Sequence, residues 1–250
     1  MKYSQEIYAY LDDKKFSNGL DISFAENLKD ESRINKIIHL CRGKKVIHLG
    51  CADHIELIKQ KTETNKWLHK LLIDNADVCA GIDINKKAVE YINEHLSIKN
   101  VFCIDIEHET PDFLSVDQTW DYLVLGEIIE HVENPVSFLK RINDVFSRYV
   151  KKIIITAPNV FNITTIKDIK NNLENINTNH IYWFSPYTLT RVVHKGGFKN
   201  IEFSFADRVA LPFCGKVVRQ IKKTLGMNIT FESNHFSVII ISADFSLIKK

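Results

Sequence analysis

Residues 44–60 read KKVIHLGCADHIELIKQ. An apolar run from Val46 to Leu49 ends on Gly50, and beyond His54 the pattern becomes helical. A strand, a glycine turn and a helix form the repeating unit of an open, mostly parallel sheet, whose ligands sit past the carboxyl ends of the strands. Gly50 stands at such an end, and a residue without Cβ lets the backbone come close to a ligand.

Outward from this unit the alternation continues. Strand candidates follow at DVCAGIDI (77–84), NVFCIDI (100–106), WDYLVLG (120–126) and KKIIITAP (151–158), and NIEFSFA (200–206) and HFSVIIIS (235–242) come last. Apolar strands separated by helices imply a sheet covered on both faces. Helical patterns occupy 55–73, 86–97, 134–148 and 185–196. The last of these opens on Ser185-Pro186, an N-cap and a first-turn proline, and stops at Gly196-Gly197. The final two strands lack a long crossover and are expected to be antiparallel. The expected fold is α/β and Rossmann-like: a seven-stranded, mostly parallel sheet with helices on both faces and an antiparallel last strand. Residues 1–42 read as a helical segment before a main domain at 43–250. Residues 159–180, with seven asparagines and no apolar period, read as a loop or lid.

Composition narrows the function classes. With 45% hydrophobic and 26% charged residues the chain has the makeup of a globular enzyme with a full core. A net charge of +2, with lysine and arginine scattered, argues against nucleic acid as partner. No apolar run reaches the ~20 residues that span a bilayer, and the opening MKYSQEIYAYLDDKK is not a secretory leader. Five cysteines without CxxC spacing point to the reducing cytoplasm.

Three strand-end turns carry the binding signal. The first is HLGCADH (48–54), the second ends GIDI with Asp83, and the third ends CIDI with Asp105. A carboxylate at the end of the second strand can accept hydrogen bonds from both hydroxyls of a ribose, and Asp105 stands where an adenine amino group would be read. The order and spacing resemble the first three motifs of class I S-adenosylmethionine-dependent methyltransferases, over about residues 44–206. The resemblance implies S-adenosyl-L-methionine held by Gly50, Cys51, Ala52, Asp53, Asp83, Ile84, Asp105 and Ile106. The family's first motif, acid-x-Gly-x-Gly-x-Gly, is altered here: His48 replaces the acid, and Ala52 and His54 replace the later glycines. Alanine is tolerated there if φ stays negative, and His54 must turn away from the methionine end or touch it. NAD fits worse, because a pyrophosphate needs the complete glycine cradle.

The fourth strand runs into EIIEHVENP, which sets Glu127, Glu130 and His131 at the sheet mouth. On a helical turn these positions would share a face. Two carboxylates and an imidazole suit a divalent metal or general-base chemistry; they also suit simple contacts to cofactor and backbone. His180 follows the Asn-rich stretch and can reach the same place. EIIEHVENP, the Ala157-Pro158-Asn159 turn and HIYWFSPYTL…GGF resemble ubiquinone O-methyltransferases, and EIIEH with a later His also resembles small-RNA 2′-O-methyltransferases. These resemblances imply a divalent ion, Mg²⁺ or Mn²⁺, on Glu127, Glu130, His131 and His180. The catalytic candidates are His131, Glu127 and His180.

HLGCADHIELIKQK with WLHKLL is similar to methyltransferases encoded with bacterial surface-polysaccharide genes. A hydroxylated small molecule or a sugar is therefore the expected acceptor. A methyltransferase-like module that has lost its cofactor is the non-enzyme alternative. The basic amphipathic stretch LPFCGKVVRQIKKTLG (211–226) suits either a helix covering the sheet or contact with an anionic membrane surface.

Overall fold

The computed structural model describes residues 1–24, 28–115, 118–209 and 232–246. The basic stretch 211–226 lies outside the described residues. Seven strands, β1 (Lys45–Leu49), β2 (Val78–Asp83), β3 (Val101–Cys103), β4 (Trp120–Gly126), β5 (Val150–Pro158), β6 (Lys199–Arg208) and β7 (Phe236–Asp244), form one sheet in the order β3-β2-β1-β4-β5-β7-β6. Neighbours from β3 to β5 are parallel, and β7 runs antiparallel between β5 and β6. The expected seven-stranded Rossmann-like α/β sheet is thus present, with β7 the reversed strand. The order switches between β1 and β4, which opens a crevice at their carboxyl ends.

Alternation along the central strands divides the core into two layers. Ile47, Leu49, Leu123, Leu125, Ile153 and Ile155 face one side, with Leu139 and Ile142 of α6 (Pro135–Phe146) and Leu189 and Val193 of α8 (Pro186–Lys195). Val46, Val124 and Ile154 face the other, with Ile37 and Ile38 of α2 (Arg33–Cys41) and Leu68 and Leu72 of α4 (Leu68–Asn75). This is why the strands read as continuous apolar runs. The described residues of 1–42 contribute α1 (Gln5–Leu11) and α2, which pack against the sheet and α8. Arg33 N–H donates to Asp207 (2.8 Å), and Arg191 of α8 donates to the Tyr10 carbonyl (2.7 Å).

Two expectations need correction. The single helix expected over 55–73 is two helices, α3 (Ile55–Glu63) and α4, because Asn65 adopts φ 52° between them. Asparagine tolerates that left-handed conformation, and the break seats Trp67 in the core with its indole N–H on the Cys51 carbonyl (3.1 Å). The Asn-rich stretch 159–180 is not loop throughout: it contains α7 (Ile163–Lys170). Asn162 caps that helix by accepting from the Thr164 and Thr165 N–H groups, so one residue that suggested a loop is in fact a helix start. Helix α5 (Lys86–His95) completes the set, again on an asparagine cap, Asn85. No helix among the described residues is long and apolar enough to cross a membrane, and Cys41, Cys51, Cys79 and Cys103 are free thiols.

Buried beside β1 and β2 is a histidine pair. His48 Nδ1 lies 3.3 Å from His69 Nδ1, and both rings are shielded from water. Burial, reinforced by the neighbouring ring, pushes His48 well below its usual value; burial alone brings His69 down to about 4. The folded state therefore holds both neutral, with one nitrogen donating to the other. Below pH ~6.5 the unfolded chain takes up protons that the folded chain refuses, so stability falls as pH drops from about 6.5 towards 4. For His69 the loss at the acid end is on the order of 3 kcal/mol. Urea unfolding at pH 7.5 and 5 should show a shallower acid loss in His69→Gln than in the parent; equal slopes would remove His69 as the cause.

Candidate functional site

Gly50 has φ 68°, and a Cβ on it would lie 2.3 Å from Ile128 Cδ1. The left-handed φ favours glycine here, and any Cβ would in addition have to push the Ile128 side chain of the turn after β4 aside. The later replacements are mild: His54 has φ −57° at the start of α3, and Ala52 is not among the positive-φ residues. The altered motif thus places side chains only where L-residues are comfortable.

Asp83 closes β2 and ties two turns together. One carboxylate oxygen accepts from the Ala52 N–H and the other from the Asn85 N–H, both at 2.9 Å. Burial raises its pKa, while these backbone donors oppose the rise. Asp53 pairs with Lys61 at 2.8 Å. Ile84, exposed, presents an apolar side chain beside Asp83.

After β4, residues 127–131 form a turn, not the helical face expected from the spacing. Glu127 takes φ 57°; its N–H donates to Thr156, and its carboxylate lies 3.7 Å from the Arg33 guanidinium. Glu130 is fully buried, and neither carboxylate oxygen has a hydrogen-bond partner. Burial, with Glu127 nearby, lifts its pKa to about 8. His131 Nδ1 lies 3.0 Å from the Asn179 carbonyl. A carbonyl can only accept, so Nδ1 carries the proton and Nε2 keeps a free lone pair. His180 Nε2 stands 3.9 Å from Glu130, and its pKa is lowered by burial and by His131. With Glu130 largely protonated and His180 neutral near pH 7, the two do not form an ion pair. One ligand atom each from Glu130, His131 and His180 lies within 4.8 Å of the others. An orphaned buried carboxylate beside two imidazoles fits a divalent cation. Glu127 lies outside this trio, on the same cavity wall.

That cavity, about 660 Å³, is lined by Gly50, Cys51, Ala52, Asp53, Asp83 and Ile84 together with Glu127, Glu130, His131 and His180. The structure therefore brings together ten of the residues singled out by sequence. Asp105 and Ile106 are not among its lining residues. Strand β3 ends at Cys103, so Asp105 falls in the following turn, where it accepts from the Glu107 N–H, and the Ile106 side chain is in the core. Sequence reasoning missed Arg33, Lys66 and Trp67 on the same wall. Arg33 comes from a helix before the first motif, and its role is visible only once α2 is seen beneath the β4 turn.

The fold is that of a class I methyltransferase. Residues 24–203 match a methyltransferase domain family, so the chain belongs to it, and the class read from the sequence, an S-adenosylmethionine-dependent methyltransferase, holds. Solved structures share the fold at low identity. A SAM-dependent methyltransferase from Archaeoglobus fulgidus is 17% identical (TM-score 0.50, 85% of this chain and 91% of that one). One from Thermotoga maritima is 13% identical (0.54, 86% and 88%). The small RNA methyltransferase HEN1 is 16% identical (0.56, 87% and 25%). No curated protein matches the sequence.

If Asp83 meets the cofactor ribose, Asp83→Ala should weaken S-adenosylhomocysteine by roughly 1.5–3 kcal/mol, the scale of hydrogen bonds to a charged group. Asp105→Ala should leave it unchanged. Calorimetry on both variants checks this, and the reverse ranking would displace Asp83 from the site.

Proposed function

We propose that this methyltransferase transfers a methyl group from S-adenosylmethionine to a hydroxyl oxygen of a small hydroxylated acceptor or a sugar, in the cytoplasm. The single observation that carries this reading is the Glu130–His131–His180 cluster in the same cavity as the Gly50 turn and Asp83. Gly50 to Asp53, Asp83 and Ile84 would hold the donor, with the buried carboxylate turned to the ribose hydroxyls. Methylation of an alcohol requires the O–H proton to leave as the carbon–oxygen bond forms and the sulfonium–carbon bond breaks, which yields S-adenosylhomocysteine. Glu130, His131 and His180 would hold a divalent ion, which when bound lowers the pKa of a hydroxyl on it. Two imidazoles favour Mn²⁺ over Mg²⁺ in this set. His131 is kept in the ligating tautomer by Asn179, and His180 is kept near it by the docking of its segment. The likeness to polysaccharide-linked methyltransferases in HLGCADHIELIKQK supports a sugar acceptor. The altered glycines do not favour a lapsed, non-catalytic module, since the replacements cause no backbone strain.

Chelation should abolish turnover with Mn²⁺ restoring it, and Glu130→Gln should weaken Mn²⁺ binding at least tenfold. Full activity in chelator, with a ~10²–10⁴-fold loss in His131→Ala, would replace the metal by a histidine base.

Within the stretch 159–180 read as a lid, the part 163–176 is proposed to move over the acceptor. Helix α7 buries none of its side chains, whereas Ile181 N–H donates to the Glu130 carbonyl at 2.8 Å. Hydrogen exchange should find residues 163–176 less protected than β5 and slowed once cofactor and acceptor bind. Strand-like protection in the free protein would rule out a lid.

A further inference from the structure

A second cavity, about 380 Å³, lies on the far side of the cluster and shares Glu127, Asn177 and His180 with the cofactor cavity. Its size falls within the roughly 300–1,000 Å³ of small-molecule pockets. Its position is that of an acceptor chamber: a group projecting through the shared wall meets the cluster from the side opposite Gly50 and Asp83.

The lining identifies the chemistry. Among the described residues it has no lysine or arginine, but it has three carboxylates, Glu127, Asp168 and Asp207. Such a wall repels phosphate. Single-stranded nucleic acid needs a cationic groove beside its aromatic platforms, and among the described residues the aromatics here stand without lysine or arginine. Several polar side chains are already committed. Asp207 accepts from the Arg33 N–H, and the Asn159 and Asn162 amides are bound within the chain. Asp168, Asn175 and the Trp183 indole N–H have no side-chain hydrogen bond among the described residues, and Trp183 is 39% exposed. Tyr182 beside it is held by its hydroxyl on the Glu133 carbonyl at 2.8 Å.

Resting on the hydroxyl-acceptor reading above, we infer that this chamber binds an uncharged sugar ring, with Trp183 against its C–H face and Asp168 and Asn175 on its hydroxyl rim. A pyranose has one apolar face and a hydroxyl edge, which matches an exposed indole set among one carboxylate and one amide. One ring hydroxyl then points through the Glu127–His180 wall, and the rest of the ring is read by groups that take no part in the cluster. Trp183, Asp168 and Asn175 are thus specificity residues.

The test uses the full chain loaded with S-adenosylhomocysteine and diamagnetic Mg²⁺, with Mn²⁺ affinity measured on separate samples. Saturation-transfer NMR is run against methyl glycosides of neutral hexoses and 6-deoxyhexoses, their phosphates, and a short single-stranded RNA. Expected is transfer to ring C–H protons of at least one neutral glycoside. Trp183→Ala and Asp168→Asn should each weaken that signal about tenfold or more, with S-adenosylhomocysteine and Mn²⁺ affinities unchanged. Binding of no neutral glycoside, preference for the phosphates or RNA, or signals indifferent to both substitutions would overturn the inference while Mn²⁺ binding leaves the cluster standing. Failure of Mn²⁺ to bind the parent chain would overturn the metal form of the reading above, and the inference then stands or falls on the glycoside signal alone.

Discussion

The contact between the turns after β1 and β4 governs everything around it. Gly50, in a left-handed conformation that favours glycine, packs beside the Ile128 side chain, and this contact lies at the switch in strand order. The one cavity beside this contact takes in both the Gly50–Asp53 turn and the acid–imidazole cluster. Asp83 fixes the first turn by holding the Ala52 N–H, and Thr156 and Arg33 fix the second through Glu127. Loss of the later glycines matters little beside this, since Gly50 alone carries the steric demand.

Sheet, switch point and most of the cavity were legible in the sequence because each rests on a local signal. Apolar runs mark strands buried on both faces, and strand-end residues fall at the crevice by topology alone. What stayed hidden depends on distant packing. Nothing near Asn65 announces the break between α3 and α4; it follows from seating Trp67. Glu127, Glu130 and His131 do converge with His180 on one cavity, but through a turn with a left-handed Glu127, which helical spacing cannot foresee. Asp105 looked equivalent to Asp83, yet β3 ends at Cys103, and Asp105, two residues further on, is not among the residues lining that cavity.

His48 shows how a substitution in a motif can relocate charge. An acid there would sit beside His69 and the Arg33 guanidinium; the neutral His48–His69 pair leaves Arg33 to Glu127. The turn after β4 thereby carries Glu127 beside Arg33 and one lone carboxyl, Glu130, whose burial makes it costly to ionise without a cation.

The docking of residues 177–182 limits how any lid could work. Ile181 and Tyr182 N–H groups both donate to the Glu130 carbonyl, and the Asn179 carbonyl sets the His131 tautomer. Moving this part would undo the tautomer, the position of His180 and the packing over Glu130 at once. Helix α7, which contributes no buried side chain, carries no such cost. A movable segment consistent with an assembled cluster therefore ends before Asn177. It could open the chamber beside Asp168 while His131 and His180 stay in place, so access to the acceptor and integrity of the cluster are separable properties of neighbouring residues.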